Sequence, residues 1–149
     1  MFVFLCGCSA APKINVNTAS LDLRAEIHYG ESKYEGIFKS DKDGNCSLDI
    51  LYPESLEGFN LSANGSDIKI SYKGLEHNIS QSENAAFIKE MYECLKEIPN
   101  KTPVEFINDQ PIYEGICNGR AFTLAFDSAG TPAKLTVKSL DLTVLFYSY

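Results

Sequence analysis

The sequence predicts a mainly β fold: a curled antiparallel sheet of about ten strands that forms an open or half barrel, with one amphipathic helix packed on its concave face. Three observations lead to this prediction. Most segments alternate apolar and polar residues, as strands with one buried face do. Short turns rich in Gly, Asp and Asn separate these segments, so neighbouring strands run antiparallel. One later segment changes to a period near 3.6, which indicates a helix.

The first half of the chain contains six predicted strands. The clearest is LDLRAEIHY (21–29), in which the odd-numbered positions are apolar and His28 lies on the opposite, polar face. An Asp-Gly pair in DKDGN (41–45) is typical of a hairpin turn and joins the second strand to the third. The six predicted strands are residues 21–29, 34–40, 46–52, 59–65, 66–74 and 75–79.

The segment SENAAFIKEMYECLKEIP (82–99) has helical periodicity. Ser82 is a suitable N-cap and Pro99 ends the helix. The apolar stripe must be covered, and the apolar face of the sheet is the available partner. The predicted buried stripe comprises Phe87, Ile88, Met91, Cys94, Leu95 and Ile98, and the predicted polar face comprises Lys89, Glu90, Glu93, Lys96 and Glu97.

Strands resume after a loop that contains Pro103 and Pro111, in which only residues 104–107 have an extended pattern. A sheet of this width curls, and a curled sheet with one helix on its apolar side is a half barrel. The last four predicted strands are residues 112–119, 120–127, 133–139 and 140–148.

Composition narrows the classes of function. The 149 residues carry a net charge of −7, and phosphate binding needs clustered Lys and Arg, so we expect no nucleic-acid partner. A content of 44% hydrophobic residues is enough for a real core, which makes residues 21–149 a single domain. The oligomeric state stays open.

The N-terminal stretch MFVFLCGCSAAPK suggests a lipid anchor. Leu5-Cys6-Gly7-Cys8 resembles a bacterial lipobox, in which small residues let the extended backbone enter the peptidase site and the last Cys receives diacylglycerol. Residues 1–8 lack a basic region and have a short apolar run, so we interpret them as a truncated signal peptide. Residues 9–20 then form a tether.

This interpretation makes Cys8 the lipidation site and places the protein outside the cytoplasm, anchored to the bacterial cell membrane through its acyl chains. The alternative is an apolar N-terminus that packs into the core, with two incidental cysteines.

The remaining residues give no sign of catalysis or of a cofactor. Cys46, Cys94 and Cys117 are odd in number, so they are either three core residues or one disulfide and a free thiol. Only His28 and His77 could join them, and no ligand spacing appears, so we expect no metal site. Nucleophile motifs are absent too, so we do not expect an enzyme.

The sequence also resembles a known family. The segments that carry the resemblance are YEGIF (34–38), LYPESLEGF (51–59), IKISYKGLEHNI (68–79) and GRAFTLAFDSAGTPAKL (119–135). They resemble the LolA/LolB-like lipoprotein fold and, more closely, uncharacterised lipoproteins of Gram-positive anaerobes with that architecture. The resemblance implies a concave apolar surface that holds acyl chains or a hydrophobic partner. An anchored protein of this kind is similar to the acceptor on the LolB side of the family.

Two functions follow as hypotheses. In the first, the anchored protein binds a lipid, a lipoprotein acyl chain or another hydrophobic ligand between sheet and helix. In the second, it is a non-enzymatic interaction or sensor module of the envelope, with a filled core and no ligand. The candidate ligand-lining residues are Leu23, Ile27, Leu48, Ile50, Ile68, Ile70, Phe87, Met91, Leu95, Phe122, Leu124, Phe126, Leu142 and Val144.

Overall fold

The structure is a computed structural model that describes residues 15–79 and 86–149. Within these ranges the chain forms eleven β-strands, one α-helix and three short 3-10 turns. The helix, α1, covers Phe87–Lys96. The strands are β1 (Leu21–Tyr29), β2 (Ser32–Ser40), β3 (Asn45–Tyr52), β4 (Asn60–Asn64), β5 (Asp67–Tyr72), β6 (Leu75–Ile79), β7 (Glu105–Ile107), β8 (Gln110–Cys117), β9 (Arg120–Phe126), β10 (Pro132–Val137) and β11 (Leu142–Tyr147).

All eleven strands belong to one open antiparallel sheet in the order β6-β5-β4-β3-β2-β1-β11-β10-β9-β8-β7. From β1 at the centre the chain runs strand by strand to one edge at β6. It then crosses to the opposite edge at β7 and returns to β11, which pairs with β1. The fold class predicted from the sequence is confirmed. The eleventh strand, β7, lies within residues 104–107, for which the sequence indicated an extended pattern but no separate strand.

The two faces of the sheet differ as the alternation predicts. In β1 the side chains of Leu21, Leu23, Ala25 and Ile27 are buried, and the intervening residues point outward. On the outer face His28 Nε2 lies 2.7 Å from a carboxylate oxygen of Glu26. Such exposed pairs contribute little to stability, so burial of the inner face holds the sheet in shape.

Helix α1 lies across the concave face and connects the two halves of the sheet. It contacts β3 and β4 on one half and β8 on the other. Its side chains Ile88, Met91, Cys94 and Leu95 are fully buried. Burying a large aliphatic side chain is worth about 1.5–3 kcal/mol, so α1 provides a substantial part of the core.

The predicted helix at 82–99 is longer than the one observed. Residues 80–85, including the predicted N-cap Ser82, lie outside the described residues. At its C-terminal end α1 stops at Lys96, and Pro99 belongs to the following 3-10 turn. The proline ring fits this tighter turn because its missing N–H and fixed φ cost nothing there.

One residue of the predicted polar face is buried. Glu90 is only 6% exposed, although the pattern placed it toward solvent with Lys89 and Glu93. The reason is that α1 is covered on this side by the turn between β8 and β9, where Asn118 and Arg120 both reach the Glu90 carboxylate. The prediction for Glu90 is therefore wrong.

The residues directly before β1 already contact the domain. Val16 packs against the core, and the backbone N–H of Asn17 donates a hydrogen bond to Gly130 O at 2.9 Å. The predicted lipidation site, Cys8, lies outside the described residues. In the described ranges, the helix is neither long nor apolar enough to cross a membrane.

A close approach between β2 and β3 gives a test of this packing. A Cβ atom added to Gly36 would lie 2.4 Å from Asp49 O, a backbone atom that cannot move without disturbing the sheet. We therefore expect Gly36→Ala to lower the free energy of unfolding by about 1–3 kcal/mol, measured by urea denaturation.

The control is Lys39→Ala, on the exposed face of the same strand. It should change the free energy of unfolding by less than about 0.5 kcal/mol. Equal stability of the two variants would show that β2 and β3 do not approach as closely as described.

Candidate functional site

An apolar pocket of about 140 Å³ lies between the first turn of α1 and strands β2 to β5. Strands from one half of the sheet form its floor, the segment between β3 and β4 forms one wall, and the first residue of α1 forms another. The pocket is lined by Tyr34, Ile50, Leu56, Phe59, Leu61, Ile70 and Phe87.

Aromatic contacts hold the walls of the pocket in place. The ring of Phe87 stacks on that of Tyr34, with centroids 5.5 Å apart, and is tilted against that of Tyr29 at the same distance. Phe59 stacks on Tyr72 at 4.4 Å. Aromatic pairs at these separations add about 0.5–1.5 kcal/mol each beyond the area they bury, so the pocket is preformed.

The connection between β3 and β4 places two of the lining side chains. Ile50 N–H donates to Phe59 O at 2.8 Å, and Phe59 N–H donates to Leu56 O at 3.0 Å. Gly58 has a φ of +86°, a conformation that favours glycine and turns the chain back toward β4. This closed turn presents Leu56 and Phe59 to the pocket.

The chemistry of the lining favours an apolar guest of limited size. Among the described residues, every lining side chain is aliphatic or aromatic, and none of these carries a charge. A cavity of about 150 Å³ lined by Leu, Ile and Phe stays dry and binds benzene, whereas pockets for drug-sized ligands measure about 300–1,000 Å³. This pocket therefore suits one ring or the end of a chain, with α1 in the position described.

The fourteen candidate lining residues separate into two groups. Ile50, Ile70 and Phe87 line the pocket. The other eleven are buried in the core that α1 and the sheet share: Leu23, Ile27, Leu48, Ile68, Met91, Leu95, Phe122, Leu124, Phe126, Leu142 and Val144.

Sequence reasoning missed four lining residues. Tyr34 and Leu61 share the inward parity of their strands with Phe38 and Ala63, so strand alternation could have identified them. The other two, Leu56 and Phe59, lie in and after a 3-10 turn, where no periodicity marks the inward side chains.

A larger groove of about 720 Å³ is lined mostly by polar and charged residues. Several of its side chains are hydrogen-bonded to one another. Asn45 Nδ2 donates to Asp41 Oδ2 at 2.8 Å, and Asn64 Nδ2 donates to Asn45 Oδ1 at 2.7 Å. These contacts fix the end of the β2–β3 hairpin, so we assign this groove a structural role and regard the apolar pocket as the candidate site.

The three described cysteines are free and buried, each on a different element: Cys46 on β3, Cys94 on α1 and Cys117 on β8. Burial raises the pKa of the Cys46 thiol to about 12 and that of the Cys117 thiol to about 11. Burial also raises the pKa of the Cys94 thiol far above its usual range. All three are therefore neutral thiols near neutral pH and poor nucleophiles.

Comparison with known proteins assigns no family. No protein-family model matches the chain, and the comparison with curated proteins found no significant match. Among solved structures, a LolA superfamily protein from Nitrosomonas europaea is 17% identical, with 87% of this chain and 69% of that chain covered and a TM-score of 0.44. An uncharacterized conserved protein from Thermus thermophilus is 11% identical, with 89% and 81% covered and a TM-score of 0.49. At this level of likeness neither structure indicates what this chain binds.

The raised thiol pKa values predict slow alkylation. A pKa of about 11 for Cys117, against 9.0 for an unperturbed thiol, leaves about 100-fold less thiolate at pH 8. We expect iodoacetamide to modify Cys117 at least about 100-fold more slowly in the native protein than in urea, with Cys46 and Cys94 slower still. Peptide mass spectrometry gives the rate at each cysteine, and native rates equal to those in urea would contradict the burial described.

Proposed function

We propose that this protein is a lipid-anchored, extracytoplasmic binding protein of the bacterial envelope. It holds the end of an acyl chain, or another small hydrophobic group, between α1 and strands β2 to β5. The observation that carries the proposal is the pocket of about 140 Å³, whose lining within residues 15–79 and 86–149 is aliphatic and aromatic. The lipobox-like sequence Leu5-Cys6-Gly7-Cys8 supports the anchor.

The size of the pocket sets the expected affinity. A space of this volume accommodates about five or six carbons, as the benzene-binding cavity does. At about 0.8 kcal/mol per buried methylene, burying about five carbons gives a favourable binding free energy of about 4 kcal/mol. This corresponds to a dissociation constant near 1 mM. Such weak binding is useful where the ligand is locally concentrated, as acyl chains are at a membrane surface.

Lipidation at Cys8 would supply that proximity. The eight residues from Ser9 to Val16, where the described chain first packs on the core, span at most about 28 Å when extended. Two acyl chains on one cysteine anchor a protein stably, whereas one chain binds only marginally. The anchor would therefore keep the domain close to the bilayer and to acylated neighbours.

A second candidate is an interaction or sensor module of the envelope that binds no ligand. The observation that favours it is that α1 occupies the concave face, where Met91 and Leu95 are fully buried. In this case the pocket is only a packing defect, and binding measurements separate the two candidates.

Ligand binding is tested with octanoate, whose chain end matches the pocket. By calorimetry we expect saturable binding of one octanoate per chain, with a dissociation constant near 1 mM. Ile70→Phe adds a ring at a half-buried lining position and should weaken binding at least tenfold, because it fills the pocket.

The matched control is Leu75→Phe, the same kind of enlargement on β6 at a side chain that is 76% exposed and lies outside the pocket. It should bind octanoate as the parent does. No saturable binding by the parent protein would leave the ligand-free module as the function. Equal binding by Ile70→Phe would place the ligand outside this pocket and contradict the proposed site.

The anchor is tested separately from the pocket. Expressed in a bacterium behind a complete lipoprotein signal, the protein should partition into detergent, and its Cys8→Ser variant should remain in the aqueous phase because it cannot be acylated. A Cys6→Ser variant is the matched control and should partition as the parent does. Equal partitioning of parent and Cys8→Ser proteins would disprove lipidation at Cys8.

A further inference from the structure

Three metal-ligating side chains meet beneath α1, away from the apolar pocket. Glu90 and Cys94 lie one turn apart on α1, and Cys117 is the last residue of β8. One ligand atom from each lies within 4.8 Å of the other two, and all three residues are buried. The fold therefore brings the Cys117 thiol to the carboxylate and thiol of a distant segment.

The Glu90 carboxylate is incompletely satisfied. Its Oε2 accepts a hydrogen bond from Asn118 Nδ2 at 3.1 Å and lies 3.5 Å from Arg120 Nη1. Its Oε1 is buried and has no hydrogen-bond partner among the described residues. Leaving a buried charged oxygen without a partner is costly, by more than the roughly 1–3 kcal/mol of a neutral group. A bound cation would remove this cost.

We propose that Glu90, Cys94 and Cys117 bind a thiophilic divalent cation such as Zn²⁺. Two sulfurs and one carboxylate oxygen are a donor set that Zn²⁺ accepts, and a fourth position remains for water. Zn–S bonds of about 2.3 Å place tetrahedral ligands about 3.8 Å apart. The three ligand atoms lie within 4.8 Å of one another, so each pair needs to approach by about 1.2 Å at most, a shift within the range of side-chain rotations.

The surroundings suit this ion in charge and in geometry. One carboxylate and two thiolates carry three negative charges, which Zn²⁺ and the Arg120 guanidinium balance. Asn118 and Arg120 hold Oε2, as outer hydrogen bonds orient the ligands of metal sites, and leave Oε1 for the ion. Binding releases the two thiol protons and links α1 to β8.

The test uses the full chain in its reduced form. Every protein tested carries Cys6→Ser and Cys8→Ser, so that the N-terminal cysteine pair cannot bind metal. Added Co²⁺ should produce thiolate-to-cobalt charge-transfer absorption that saturates at one ion per chain and disappears when Zn²⁺ displaces the cobalt. X-ray absorption of the Zn²⁺ form should then count two sulfur ligands at about 2.3 Å.

Variants assign the site. Cys117→Ser and Cys94→Ser should each abolish the saturable absorption, and Glu90→Gln should weaken the affinity at least tenfold. Cys46→Ser is the matched control, because Cys46 is also buried but points to the backbone of Ile88, and it should bind as the parent does.

Absence of the charge-transfer band in the reduced parent, or a band that survives Cys117→Ser, would overturn the proposal. A Cys94–Cys117 disulfide in the air-exposed protein, together with no metal uptake after reduction, would also overturn it. The X-ray absorption measurement needs no variant at a ligand position, so the proposal stays testable even where a cysteine variant does not fold.

Discussion

The packing of α1 on the concave face is the contact on which the rest of the structure depends. The sheet is open, and its two edge strands, β6 and β7, do not pair with each other. Strands β1 and β11 join its halves at the centre, and α1 joins them again by contacting β3, β4 and β8. Without α1, the inner face of the sheet would expose a large apolar surface to water.

The packing of α1 also determines the position of both candidate sites, which are the apolar pocket and the cluster of Glu90, Cys94 and Cys117. Toward its N-terminal end, α1 leaves a gap against β2 to β5, and Phe87 closes one side of it. On another side, α1 meets β8 and the turn that follows, where Glu90 is enclosed and Cys94 comes near Cys117. A small apolar pocket and a polar cluster thus share one rigid element. To enclose more of a guest than the pocket holds, α1 would have to move, which would disturb the cluster.

Much of the fold could be predicted from the sequence, because alternation and helical spacing depend on local geometry. The inward row of β1 and the buried stripe of α1 are examples. The candidate sites were harder to predict from the sequence. Leu56 and Phe59 reach the pocket through a turn without periodicity, and Glu90 is buried by a neighbour that is distant in sequence. Cys94 and Cys117 lie on different elements, so no short spacing in the sequence indicates that they are close together. Only the one-turn spacing of Glu90 and Cys94 is visible in the sequence.

Hydrogen–deuterium exchange at the backbone amides of residues 91–96 tests most directly whether α1 stays on the sheet. The comparison is between the protein alone and the protein with phospholipid vesicles. We expect strong protection of these amides, close to that of the central strand β1, and no change with vesicles, because the pocket accepts a chain end with α1 in place. Rapid exchange in the free protein would show that α1 does not stay on the sheet, and loss of protection with vesicles would show that the concave face opens to a whole lipid. Either result would contradict the central role of α1.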